Sequence, residues 1–281
     1  MQTRVEPALQ RRRAAHGEIA WREAGAGQPL VLLHGIGSSS GSWAAQLDAL
    51  ADSFRVIAWD APGYGGSAPL RVAEPMARDY ARALGELLRA LEASAPIVVG
   101  HSLGALVAAA WAAQPEGSAL RVSPRALVLA SPARGYGTAA PAEREAKYRE
   151  RVEAVERLGI AGLAAQRSAR LCAPGASAET VARVQRNMEC ATPQGYVHAA
   201  WMLAHDDLAA HLRGSAVPVA VLCGEHDAVT PPAACEAVAR AAGAPFTLLR
   251  GVGHACYVED AGQFNVALQS SLRALERARR G

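Results

Sequence analysis

The residues of this chain best suited to chemistry are a serine, a histidine and an aspartate, each placed just past a short apolar run. Ser102 follows Ile97-Val98-Val99-Gly100-His101 and precedes Leu103-Gly104-Ala105-Leu106-Val107-Ala108, a β-branched stretch giving way to an Ala-rich one. This is G-x-S-x-G between a strand and a helix, the setting that gives the motif mechanical meaning. A serine forced into so sharp a turn needs small neighbours, because the two chain segments nearly touch; Gly100 and Gly104 supply that clearance. The turn lifts the hydroxyl to the carboxyl edge of a sheet, where open α/β sheets bind ligands. It also sets the NH of Leu103, at the positive start of the next helix, against a developing oxyanion.

A serine nucleophile needs a base within hydrogen-bond reach, and the base needs a carboxylate that fixes its tautomer. With this type of elbow the two follow in the order acid, then histidine. Val219-Ala220-Val221-Leu222-Cys223 runs into Gly224-Glu225-His226-Asp227, ahead of Pro231 and Pro232. Asp227 is the expected acid, and Glu225 is the rival that reads as solvated. Gly251-Val252-Gly253-His254 follows the next apolar run, and its glycines leave the loop free to lay an imidazole over Ser102. His254 is the expected base. His16, His198, His205, His211 and His226 lack that placement and read as ordinary histidines. His34 and Asp60, beside the Gly-rich turns Gly35-Ile36-Gly37 and Gly63-Tyr64-Gly65-Gly66, read as braces for their loops.

These groups require a sheet whose strand ends share one rim. Apolar runs at Glu18–Arg22, Pro29–Leu33, Arg55–Trp59, Pro96–Gly100, Ala126–Ala130, Val217–Cys223 and Phe246–Arg250 predict strands. Helical patterns over Trp43–Ala51, Arg78–Ala93, Ser102–Ala113, Pro232–Ala242 and Ala261–Arg277 alternate with them. The alternation predicts an α/β fold, mostly parallel sheet with helices on both faces. From 135 to 214 the strand signal disappears, over more residues than the dozen or so that one crossover needs. That stretch is therefore expected to be an inserted helical cap, dividing the core into 1–134 and 215–281. Within the cap Met188, Tyr196, Trp201, Met202 and Leu203 are the candidates to line a pocket. Nine Arg and one Lys against seven Glu and two Asp between Pro141 and Gly214 balance to +1, which predicts no electrostatic funnel, although Arg183 and Arg186 are placed to hold one carboxylate.

Composition narrows the function class. With 281 residues and 51% hydrophobic content the chain can bury a large core. A net charge of +3, dispersed along the chain, argues against nucleic acid or an anionic membrane surface. The triplet Arg11-Arg12-Arg13 reads as a solvated turn ahead of the first strand. No run approaches the ~20 apolar residues of a membrane span. Five scattered cysteines without a C-x-x-C pair suit a reducing cytoplasm. Neither H-E-x-x-H nor a Cys/His zinc set occurs, so no metal or other cofactor is expected.

Taken together, His34-Gly35, Asp60 through Ser67, Gly100-His101-Ser102-Leu103-Gly104, Gly224 through Asp227 and Gly253-His254 resemble the α/β-hydrolase superfamily over nearly the whole chain. The tail from Gly253 through Asp260 to Phe264-Asn265 looks like the 3-oxoadipate enol-lactonase group, with meta-cleavage C–C hydrolases as close relatives. The resemblance implies a second oxyanion donor at the NH of Ile36. It also implies ester- or lactone-cleaving activity on a small, fairly apolar substrate, with C–C bond hydrolysis of a diketone as the alternative. A serine at the elbow, where dehalogenases and epoxide hydrolases carry aspartate, excludes their ester chemistry. The elbow departs from enol-lactonases in continuing Leu103-Gly104-Ala105 rather than Met-Gly-Gly. A non-catalytic sensor on the same fold, and cofactor-free oxygen or peroxide chemistry, stay open. The expected partner is a small molecule, and a homodimer is neither required nor excluded.

Overall fold

The computed structural model of the chain describes residues 7–114, 122–213 and 215–278. Eight strands form one sheet: β1 Gln10–Ala14, β2 Gly17–Ala24, β3 Pro29–Leu33, β4 Arg55–Asp60, β5 Ile97–His101, β6 Ala126–Ala130, β7 Val219–Gly224 and β8 Phe246–Leu249. Their spatial order is β1-β2-β4-β3-β5-β6-β7-β8, with β2 antiparallel to both of its neighbours, β1 and β4, and every other pair parallel. Chain order reverses at β3, which lies between β4 and β5. The crevice beyond the carboxyl ends of β3 and β5 is therefore a topological switch point, where such sheets bind ligands. His34-Gly35-Ile36 and Ser102 are the residues that lead out of those two ends.

Alternation along the strands explains why both faces are covered. Val31, Leu33, Ile57, Trp59, Val98, Leu127, Leu129 and Val221 face one core, packed with residues of α2 (Ala77–Ala90) and α3 (Leu103–Ala112). Leu30, Leu32, Val56, Val99, Val128 and Leu222 face the other. That second core takes Leu47 and Leu50 of α1 (Ala44–Leu50), and Phe264, Leu268 and Leu272 from the last helix. Every residue of α3 is buried, and its run of alanines lets the helix lie close to the sheet.

One expectation fails at the first edge. Arg11, Arg12 and Arg13 are not a turn; they lie in β1, with Arg12 opposite Ile19 in an antiparallel hairpin. Three adjacent arginines erase the polar–apolar alternation that announces a strand, yet backbone pairing needs no apolar side chains. On an exposed edge their charge discourages further strands from adding.

Between β6 and β7 the described residues contain helices and no strand. They are α4 Pro141–Arg167, a 3₁₀ turn at Ser168–Leu171, α5 Ala178–Met188, α6 Pro193–His205 and α7 Leu208–Leu212. Gly159, at φ 63° and ψ 177°, breaks α4 into two segments. After β7 come α8 (Pro232–Ala241), the short α9 (Cys256–Glu259) and α10 (Ala261–Ala278). The helical excursion is sewn down at several points. The NH and hydroxyl of Thr192 both donate to the Gly63 carbonyl, at 3.0 and 2.9 Å, and the NH of Ala255 donates to Leu171 O at 2.8 Å.

The turn from β5 to α3 holds Ser102 at φ 52° and ψ −115°, a backbone that few side-chain-bearing residues adopt. A Cβ on Gly100 would lie 2.5 Å from the Gly104 carbonyl oxygen, and one on Gly104 2.5 Å from the Leu33 carbonyl oxygen. Neither neighbour is a side chain that can swing aside. Gly104→Ala is thus expected to cost about 1–3 kcal/mol, as overpacking does, read as a lower urea midpoint with unchanged slope.

Candidate active site

Asp227 and His254 come from loops that follow adjacent strands. The loop after β7 turns back on itself through its own aspartate: the NH groups of Val229 and Thr230 both donate to Asp227 Oδ1, each at 2.8 Å. This fixes the second oxygen, Oδ2, which accepts from His254 Nδ1 at 2.9 Å. The Thr230 hydroxyl stands 2.8 Å from the same Oδ2 and 3.1 Å from the Ser131 carbonyl, and its single proton serves one of them at a time. Asp227 is buried, and burial alone would raise its carboxyl. The attraction and hydrogen bond of His254, with the Thr230 NH, outweigh burial and hold the group well below the ordinary carboxylate range. An ionised Asp227 that accepts at Nδ1 keeps the proton on that nitrogen and leaves Nε2 as the free lone pair.

Glu225, the rival acid, is engaged elsewhere. It pairs with Arg250 at 2.6 Å and accepts from the NH of Gly251 at 3.0 Å. The loop that carries His254 is held from behind by His101, whose Nε2 donates to the His254 carbonyl at 2.8 Å. Burial, then the neighbouring His254, pushes His101 down to about 3, so it stands as a neutral ring 4.8 Å from the His254 ring. His34 and Asp60 brace their loops. His34 Nδ1 donates to Gly35 O at 2.8 Å, and its Nε2 accepts from Ala61 N at 3.0 Å. Asp60 accepts from Ser40 N at 2.7 Å and Gly66 N at 2.9 Å.

Ser102, His254 and Ile36 all line one cavity of about 390 Å³. Among the described residues no hydrogen bond joins Ser102 to His254, and contacts of this kind are often long or poorly aligned in the absence of substrate. Among the described residues no hydrogen bond engages the NH of Ile36 or of Leu103. Leu103 itself turns its side chain into the core and does not line the cavity. Its contribution is confined to the NH at the start of α3, one of the helix's unsatisfied donors.

The cavity takes three of the five residues expected from the helical excursion. Met188 and Tyr196 line it; Trp201 and Met202 do not. At about 100° per residue, Leu203 falls on the face of α6 that carries Tyr196, and it too lines the cavity. Trp201 points elsewhere and stacks on His205 at 3.7 Å, while Met202 is fully buried in the core. Arg183 is paired with Glu179, and neither it nor Arg186 lines the cavity. Sequence reading missed Thr230, Tyr257, Arg134, Arg151 and Arg167, all of which line it. Thr230 left a trace, since an aspartate bonding its own backbone two and three residues on is a common turn device. Among the described residues no three His, Cys, Asp or Glu side chains gather as a metal site, and no helix is long and apolar enough to cross a membrane.

This layout defines a hydrolase of the α/β class, and residues 30–267 match the model of the alpha/beta hydrolase family, to which the chain belongs. The chain is similar to a thermophilic esterase from Thermogutta terrifontis, at 29% identity and TM-score 0.82 over 95% of this chain and 99% of that one. It shares its fold with the enol-lactonase from Burkholderia xenovorans LB400, at 23% identity and TM-score 0.79 over 94% of this chain and all of that one. Over 93 residues it is 43% identical to a pimeloyl-[acyl-carrier protein] methyl ester esterase of Vibrio cholerae, a match spanning 32% of this chain and 33% of that protein.

Thr230→Val keeps the side chain's shape and removes its hydroxyl, and is expected to lower kcat severalfold. Asp227→Asn frees the tautomer and is expected to lower kcat by about 10⁴. The folded carboxyl of Asp227 lies below its ordinary 3.8, so the stability it contributes is complete above that pH and is lost as pH falls below it. Urea midpoints of wild type and Asp227→Asn should accordingly converge as the medium is acidified below that point.

Proposed function

We propose that the protein hydrolyses a carboxylic ester or lactone of a small-molecule substrate through an acyl-enzyme, with residues 135–214 serving as the cap. The observation that carries this reading is the buried His254–Asp227 pair, whose imidazole shares one cavity with a serine held on a strained elbow. His254 Nε2 takes the hydroxyl proton as Ser102 Oγ attacks the carbonyl carbon. The negative charge that develops on the carbonyl oxygen is met by the NH groups of Ile36 and Leu103, each such donor supplying ~3 kcal/mol. The imidazolium formed next to Asp227 returns its proton to the departing alkoxide. Water, deprotonated by the same nitrogen, then releases the acid and restores Ser102.

The similarity to a methyl ester esterase and to a thermophilic esterase supports ester over C–C cleavage. The five free cysteines support a reducing compartment such as the cytoplasm.

The test is Ser102→Ala, assayed with p-nitrophenyl esters, a lactone and a dienol diketone, together with labelling by a fluorophosphonate. Loss of labelling and a fall in kcat of about 10⁴–10⁶ are expected. Unchanged turnover sinks the assignment, turnover of the diketone alone reassigns the bond broken, and tight ligand binding without turnover makes the protein a sensor.

A further inference from the structure

The charge on the cavity wall is unbalanced. Arg134, Arg151 and Arg167 line it, with Glu143 as the one carboxylate lining it among the described residues. None of these three arginines forms a salt bridge among the described residues. Elsewhere Arg11, Arg55, Arg82, Arg125, Arg149, Arg183, Arg240 and Arg250 each pair with a carboxylate, at 2.6 to 3.8 Å. Pairing with carboxylate is thus common among the arginines of this surface without being general, and the three arginines of the cavity wall are among those that no carboxylate meets among the described residues.

A guanidinium cannot shed its charge at any ordinary pH, and it offers five donors in a rigid fork. Arg167 and Arg151 are half-buried, and both are held by neutral partners. Arg167 Nη1 donates to the Tyr196 hydroxyl at 3.2 Å. Arg151 Nη1 donates to the Lys147 carbonyl at 2.7 Å, and its guanidinium lies 5.9 Å from the centre of the Tyr136 ring. Each contact orients the side chain and uses one donor at most, so further donors and the full charge remain. The two arginines stand on opposite sides of the break at Gly159, so the bend in α4 separates the segments that deliver them.

We propose that these arginines form an anion subsite: the substrate attacked by Ser102 carries a carboxylate on the part of the molecule away from the scissile carbonyl, gripped by Arg167 and Arg151 with Arg134 at the exposed margin. This rests on the hydrolytic reading above and replaces the expectation of a fairly apolar substrate. Carboxylate and phosphate share the chemistry that the guanidinium fork recognises, and the experiment separates them.

Kinetics are measured with half-esters of four- to seven-carbon dicarboxylic acids and with the matching neutral diesters, on wild type, Arg151→Gln and Arg167→Gln. Calorimetry of the same proteins with glutarate, adipate, pimelate and inorganic phosphate gives a readout independent of turnover. Wild type is expected to favour at least one half-ester over its diester by about tenfold in kcat/KM, an exposure-discounted figure for charged hydrogen bonds. Each substitution should reduce that ratio by a similar factor and weaken binding of the matching dicarboxylate. Equal kcat/KM for half-ester and diester, with binding that neither substitution changes, overturns the subsite and leaves the hydrolase standing. Arginine-dependent binding without turnover of any ester overturns the hydrolytic reading and keeps the subsite. Arginine-dependent binding of phosphate alone overturns the carboxylate.

Discussion

Ser102 holds a positive-φ backbone where glycines two residues to either side, Gly100 and Gly104, let the strand and the helix meet. Strain of this kind costs of order 1–3 kcal/mol and persists only where surrounding structure over-determines it. Here the determinants are explicit. The NH of Ser102 donates to the Ala130 carbonyl at 2.9 Å, and its carbonyl accepts from Ala133 N at 3.1 Å. The elbow is thus pinned to the tip of β6 on one side. On the other, Gly104 lies against the Leu33 and His34 carbonyls at the tip of β3, leaving no room for a methyl group. Three strand ends are drawn together by one serine, and the loop that carries Ile36 departs from one of them.

How far the sequence reveals such a site depends on whether the information is local. The elbow was legible because a β-branched run, two glycines and an Ala-rich run are contiguous. The carboxylate that partners His254 was half legible because Asp227 stands just beyond an apolar run, as Glu225 does too, and the structure separates them by direction: one faces inward to His254, the other outward to Arg250. β1 was illegible because its side chains carry no alternation. The cavity wall was illegible because a charge sum along 141–214 discards the face on which each charge lies. The +1 balance is correct as arithmetic, yet it hides a cavity lined by three arginines and one glutamate, with Arg134 coming from outside the stretch counted. Trp201 and Met202 were misplaced for a related reason. Residues adjacent in sequence on a helix point in different directions, so aromatic or Met content alone does not say which face it occupies.

The electrostatics of the site divide between two environments. Around Asp227 and His101 the protein is dry, and each group settles into one protonation state: Asp227 ionised through its partners, His101 neutral through burial. Around Arg151 and Arg167 the wall is half-buried, and its charge faces the cavity. The first environment holds its tautomer without reference to an occupant, whereas the second has donors left over.

Glu259 ties the His254 loop to the helical excursion. One of its oxygens accepts from the NH of Gly253, the residue before His254, at 2.9 Å, and the other from Ala173 in the helical excursion at 2.7 Å. Gly253 also approaches Cys172 and Ala173 too closely to admit a side chain. The loop that carries His254 and the chain at Cys172 and Ala173 are consequently clasped at a single carboxylate, so any displacement of one is transmitted to the backbone of the other, immediately before the imidazole.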